Sequence, residues 1–402
     1  MSVTSPVRLS AEQEERAQGL HSESIVFICH DHKILFDDIG AMVAGGVTAK
    51  QVHISLDGQP FADRRTFFSS ASPSVITAEL ARWQEQADPE LKAMLEEVGT
   101  RQVDGFLRRA LVALDYIYWN VDSSGGDVVI ALEPEDIVDA KNASKSALVL
   151  GSEGARLLEG RLEVLRVLTR WGLRHLELSW AWETPVGAPQ SDTSGNGLGP
   201  YGRELVRELN RLGVMVDLAH LAYQSMYDAL DVSSAPVLIS HTGARALHEK
   251  HVVLLPDEVI TAVASGGGII AMALLSHLAK PGFGQATLDQ VLAHFDYVAE
   301  LAGTDCIAIG PDYFPVDPRM WENWGQSGPY GWGEGVEDIS KMLNLTRGLV
   351  SHGYSDDDVK KILGGNLLRF FGDVRAHADV EGRAYPTIPG GLGVLTEGTT
   401  PL

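Results

Sequence analysis

The chain has 402 residues, 45% of them hydrophobic and 21% charged, a balance that excludes a disordered chain and provides apolar side chains for a large core. Its 54 acidic side chains against 32 basic ones leave a formal charge of −22, which repels phosphate backbones and anionic membrane surfaces and argues against nucleic acid as a partner. With only Cys29 and Cys306, the sequence argues against a disulfide framework and a thiolate zinc site, so any metal must be held by His and carboxylates.

In chain order, residues 1–24 read as a polar, helix-prone extension without a basic leader or an apolar core, and no apolar run reaches the ~18 residues of a membrane span. The expectation is a cytoplasmic, unprocessed protein with no membrane partner. Short apolar runs alternate with segments of helical period. The strand candidates are Ile25–His30, Gln51–Leu56, Ala147–Glu153, Arg174–Trp180, Val214–His220, Pro236–His241, Gly268–Leu274 and Cys306–Asp312. Helices are expected at Glu159–Trp171, Tyr201–Leu212 (stopped by Gly213), Pro256–Ser265 and Leu288–Ala302.

This pattern predicts an α/β fold, a (β/α)8 barrel formed as one domain over residues 25–383. A largely helical insertion is expected at about 58–126, and a lid-like or packed loop rich in Gly, Pro, Trp and Tyr at 313–337. Residues 384–402 read as an extended tail.

Polar residues gather at the last positions of the predicted strands: His30, His32, Glu153, His220, His241 and Asp312. The C-terminal ends of barrel strands build the active site in such folds. A lone His there is more often structural, but so many groups converging on one mouth are hard to satisfy unless metal ions organise them. Imidazole and carboxylate donors without thiolates suit Zn2+, with Mn2+, Fe2+ or Co2+ as alternatives, in a hydrolytic site where Glu153 is the natural bridge between two ions.

The segments GSEG (151–154), GVMVDLAH (213–220), PVLISHT (236–242), LPDE (255–258), AIGPDY (308–313) and GGNLLRF (364–370) form an ordered series that resembles the membrane dipeptidase (renal dipeptidase) family over roughly residues 25 to 372. The resemblance implies that His30 and His32 bind one metal, that Glu153 bridges, and that His220 and His241 bind the second. It also implies that Asp312 contacts the substrate amine and relays a proton, and that a metal-bridging hydroxide attacks the carbonyl carbon. A peptide-like or amide small molecule is the implied substrate, and a homodimer is allowed.

Three departures from the family pattern bear on specificity. His30-Asp31-His32 stands where the family has His-x-Asp; side chains two apart share a strand face, which favours His32 and leaves Asp31 on the packing side or supporting the ligands from behind, with a register in which Asp31 itself contributes as the open alternative. Trp180 occupies the place of a substrate-binding histidine, and its single N–H donor cannot accept or carry a proton. No arginine stands near Val252 and Val253 to grip a substrate carboxylate; His251 or Lys250 could substitute without a bidentate fork. Trp180, Trp182, Tyr313, Trp321, Trp324, Tyr330 and Trp332 read either as an aromatic-lined pocket or as packing. His53, His175, His248, His277, His294 and His352 read as packing or surface residues, and both cysteines as small buried hydrophobes.

Three readings stay open: a dipeptidase-like amide hydrolase, a hydrolase of another C–N bond, and a non-catalytic descendant that binds a ligand.

Overall fold

Parallel strands dominate the computed structural model, which describes residues 6–32, 37–57, 105–180, 184–190, 192, 194–249, 251–282, 284–313 and 331–379. Those described are β1 (Phe27–Asp31), β2 (Ala49–Leu56), β3 (Val128–Ile130), β4 (Ser146–Glu153), β5 (His175–Glu177), β6 (Met215–Asp217), β7 (Leu238–Thr242), β8 (Ile269–Met272) and β9 (Ile307–Ile309). The hydrogen-bonded order is β3-β4-β2-β1-β9-β8-β7-β6-β5, with every pairing parallel. The two ends of this sheet meet. Leu173, just before β5, bridges Leu150 of β4, and the Arg174 N–H donates to the Leu150 carbonyl at 2.9 Å.

The eight strands foreseen in the sequence therefore form the ring, and the fold is the expected α/β barrel. The short strand β3 was not foreseen. It lies beside the first half of β4, with Val128 opposite Ser146 and Ile130 opposite Leu148, while the approach to β5 continues along the same edge.

Two apolar layers follow from the period of two along each strand. Phe27, Cys29, Ala49, Ala147, Val149, Met215, Leu238, Ile269, Ala271 and Ala308 share one cluster with Leu367, Phe370 and Phe371 of the helix Asn366–His377. These are the inward positions of successive strands, closed off at one end by that helix. Their neighbours of opposite parity, among them Ile28, Val52, Leu148, Leu150, Leu176, Val216, Ile239 and Ile309, belong to the larger cluster between strands and outer helices.

Helices occur where the apolar period placed them, at Leu162–Arg170, Pro200–Leu212, Asp257–Ser265 and Leu288–Ala302. Gly213 ends the second in the left-handed conformation, φ 65°, which glycine adopts without the steric cost of a Cβ. The polar N-terminal stretch is helical over Ala11–Glu23, capped by reciprocal bonds between Ser10 and Gln13.

In the expected insertion, Phe106–Ser123 is a helix, whereas 58–104 lies outside the described residues, as do 314–330 of the expected loop and the tail from 380 onward. The described end of that loop is packed: Trp332 is buried, and its Nε1–H donates to the Pro311 carbonyl at 3.0 Å. Among the described residues no helix is long and apolar enough to cross a membrane.

Candidate metal centre

The polar mouth of the barrel is made by a change of backbone conformation at the strand ends. Cys29 belongs to the inward cluster and Ile28 to the outer one, so simple alternation would turn residue 30 outward. Instead His30 adopts φ 60°, and its ring enters the mouth with no exposed surface. His220, φ 60°, and Asp312, φ 54°, do the same beyond β6 and β9. Left-handed backbone is uncommon for non-glycine residues and concentrates at functional sites; Asp and His are among the side chains that tolerate it best.

The expected site residues converge. His30 Nε2 lies 3.0 Å from His32 Nε2, and His241 Nε2 lies 2.8 Å from His220 Nε2. Glu153 Oε1 stands 3.5 Å from Nε2 of His30 and 3.5 Å from Nε2 of His220, between the two pairs. Asp312 Oδ1 is 2.9 Å from His32 Nε2 and 3.5 Å from His30 Nε2. Asp31 turns away from the mouth, its Oδ2 accepting from Lys50 Nζ at 3.3 Å.

Nitrogen and oxygen donors about 3–3.5 Å apart have the spacing of ligands around a tetrahedral ion with bonds of roughly 2.0–2.2 Å. Charge points the same way. Burial and the neighbouring histidines His53, His32 and His220 hold His30 well below the usual imidazole range; burial, His30 and His220 do the same to His241, so both are neutral donors. At His32, burial works against the charged form, but Glu153 and Asp312 outweigh it and push the value up to about 9. Glu153 is held down despite its burial, by His32 and His220. The cluster thus demands positive charge, which a proton on His32 meets in part and a metal cation meets better.

A second polar shell fixes these donors. Ser240 Oγ is 3.2 Å from Nδ1 of His30 and 2.9 Å from Nδ1 of His241, bridging ligands from β1 and β7. Asp217, fully buried, accepts from the backbone N–H groups of Ala219 (3.0 Å) and Ser240 (3.1 Å) through Oδ1, and its Oδ2 pairs with His175 Nε2 at 2.8 Å. Ligand orientation by such partners is the usual support of a metal site. Gly151 leaves room for His175: a Cβ there would fall 2.4 Å from its Nδ1.

Two further side chains stand at the cluster: Glu177, not singled out in the sequence, and His53, read there as packing. Both are buried, and both side chains face the His30 ring from inside the barrel. Among the described residues, neither carboxylate oxygen of Glu177 and neither ring nitrogen of His53 has a hydrogen-bond partner. His30, His32 and His53 form one group able to hold an ion, and His30, Glu153, Glu177 and His241 another. Strand phase was the available signal, since residues at even spacing from an inward neighbour also point inward.

Three expected substrate contacts fare differently. Trp180 sits at the mouth, its ring 6.0 Å from that of His220. Tyr313 does not reach the site: it is fully buried, its hydroxyl donates to the Val336 carbonyl at 2.7 Å, and its ring packs 5.4 Å from Trp332. A residue so tightly enclosed holds the loop to the barrel and offers no surface to a ligand. His251 lies in the loop after β7 with its ring 5.5 Å from His248 and 5.3 Å from His277. Burial lowers it to about 4, so it is an uncharged imidazole at neutral pH, unlike a carboxylate-gripping arginine. Trp182, Lys250, Trp321, Trp324 and Tyr330 lie outside the described residues. Burial also raises the thiols of Cys29 and Cys306, the latter to about 11, consistent with inert packing residues.

Comparison with known proteins follows the same line. Residues 83–383 match the profile of the membrane dipeptidase family, peptidase family M19. The dipeptidase tcpJ of Claviceps purpurea (strain 20.1) is 33% identical over 247 residues, covering 61% of this chain and 55% of that protein. An uncharacterized dipeptidase of Schizosaccharomyces pombe (strain 972) is 32% identical over 239 residues, covering 57% of this chain and 53% of that protein. The chain thus spans about half the length of the curated relatives it matches. The crystal structure of an amidohydrolase from Pseudomonas aeruginosa superposes with a TM-score of 0.72 at 22% identity, over 90% of this chain and 99% of that one, a likeness of fold.

Proposed function

The chain belongs to the membrane dipeptidase family, peptidase family M19, and from that premise we propose that it is a metal-dependent hydrolase cleaving a peptide or amide bond of a small molecule. The observation that carries the reading is Glu153, whose single oxygen lies 3.5 Å from one imidazole of each histidine pair. Such a carboxylate supports a two-ion arrangement, with His30 and His32 on one side and His220 and His241 on the other. The imidazole and carboxylate donors fit Zn2+, with Mn2+, Fe2+ or Co2+ compatible. When bound, the metal supplies a water made nucleophilic near neutral pH, together with a Lewis acid for the substrate carbonyl.

The chain's own residues do the remaining work. Asp312, on the mouth side of His32, holds the substrate amino group and carries a proton to the leaving nitrogen. Ser240 and Asp217 keep the imidazoles aimed. The relatives named as dipeptidases make dipeptides the first substrates to test.

A second reading, hydrolysis of another C–N bond, is favoured by Trp180 beside His220 and by the uncharged His251. Both suit an apolar substrate that lacks a free carboxylate. Elemental analysis of the purified protein, paired with a panel of dipeptides and N-acyl amides after metal reconstitution, decides between them. Metal with dipeptide cleavage supports the first reading, and metal with cleavage of carboxylate-free amides only supports the second. No metal and no activity with added Zn2+, Mn2+ or Co2+ would leave a non-catalytic binding protein.

A further inference from the structure

The five expected ligands carry one negative charge between them, on Glu153, because an imidazole stands at position 32. Two dications would be poorly balanced by four neutral rings and one carboxylate. Beside His30, Glu153 and His241 lies Glu177, the last residue of β5, with no exposed surface. Among the described residues both its oxygens lack a hydrogen-bond partner, and its Oε2 is 3.9 Å from His30 Nδ1, too far for a hydrogen bond.

An ionised carboxylate in that position needs a cation. Protonation does not remove the difficulty, since a neutral carboxyl brings an O–H that also needs an acceptor. Donor atoms of Glu177, His30, Glu153 and His241 all lie within 4.8 Å of one another, a spread that a small contraction closes around an ion with bonds of about 2.0–2.2 Å.

We infer that Glu177 is a further metal ligand of this centre, reaching an ion from inside the barrel and restoring a second carboxylate to the donor set. The inference rests on the reading of the mouth as a metal centre. Its position inside the ring, with β5 and β6 paired from His175 to Glu177, holds the carboxylate on the inward face without help from any loop.

The test compares wild-type protein with Glu177→Gln, which keeps shape and loses charge. Both are reconstituted with Zn2+ alone, then measured for bound metal by elemental analysis and for affinity by chelator competition. The expected result is loss of one equivalent of zinc, or a tenfold or greater weakening, in the variant. Equal content and equal affinity would overturn the inference while leaving the metal-centre reading intact. A wild-type protein that takes up no zinc would overturn both. If Glu177→Gln fails to fold, an anomalous difference map on zinc-soaked wild-type crystals decides. A Glu177 oxygen at about 2.0–2.2 Å from an ion supports it, and a carboxylate beyond about 3.5 Å from every ion refutes it.

Discussion

Asp217 offers the sharpest test of how the mouth is held, because one carboxylate fastens three elements. Its Oδ1 accepts from the N–H of Ala219, next to His220, and from the N–H of Ser240, next to His241. Its Oδ2 pairs with His175 on β5. Asp217→Ala strands three buried donors in a region without exposed surface. At ~1–3 kcal/mol for each orphaned donor, with partial rearrangement, the loss is about 3–6 kcal/mol. Asp217→Asn keeps the Oδ1 acceptor, and its amide can donate to Nε2 of His175 if that ring shifts its proton to Nδ1, which has no hydrogen-bond partner among the described residues; about 1 kcal/mol is expected there. Thermal melts of metal-free protein give the ranking, with the Ala variant lower by about 4–7 °C. Zinc titration gives the functional consequence, a weaker uptake in Asp217→Ala than in Asp217→Asn. An Ala variant that melts and loads zinc like the wild type would refute the idea that this carboxylate positions His220 and His241.

Two more predictions address the frame around the site. Gly310, inward on the approach to Asp312, cannot take a side chain, because an added Cβ would fall 1.7 Å from the Ser240 carbonyl oxygen, a backbone atom with no freedom to withdraw. Gly310→Ala should cost ~3 kcal/mol or more and reduce zinc content, and a soluble variant of wild-type melting temperature and full metal load would count against it. Asp57, beside β4, is raised by burial to about 7 from an ordinary 3.8. Between those values the folded state holds a proton that the unfolded chain has released, so this group's contribution to stability falls as pH rises from about 4 to about 7. Asp57→Asn should therefore gain on the wild type at pH 8 by more than at pH 5, measured by urea unfolding of metal-free protein, and equal gains at both pH values would contradict the assignment.

The ring was legible in the sequence because several of its strands are apolar almost throughout, as in VLIS and CIAIG, and alternate with segments of helical period. Strand β3 was not, since Val128–Ile130 is three residues long and follows the helix Phe106–Ser123 with only a Gly-rich turn between. At the site, position at the strand ends singled out His30, His220 and His241, which the fold brings together with His32 and Glu153. Glu177 escaped notice, and His175 was read as packing or surface, because HLEL reads as an ordinary amphipathic strand until the barrel closes and the polar face proves to be the inner one. Tyr313 misled for the opposite reason: adjacency to Asp312 in sequence suggested the mouth, whereas the left-handed turn at Asp312 sends the next ring into the packing.

That left-handed geometry at His30, His220 and Asp312 has a bearing on metal choice. Each turn is held by the backbone itself: the Asp312 N–H donates to the His30 carbonyl at 3.1 Å, the Gln190 N–H to the His220 carbonyl at 2.7 Å, and the His32 N–H to the Tyr313 carbonyl at 2.8 Å. Folding therefore bears the conformational cost of shaping the donors before any ion arrives. A cage largely shaped in advance has a narrow range of apertures, and divalent ions whose intrinsic affinities for imidazole differ widely would be sorted by how well their radius and preferred coordination suit that range.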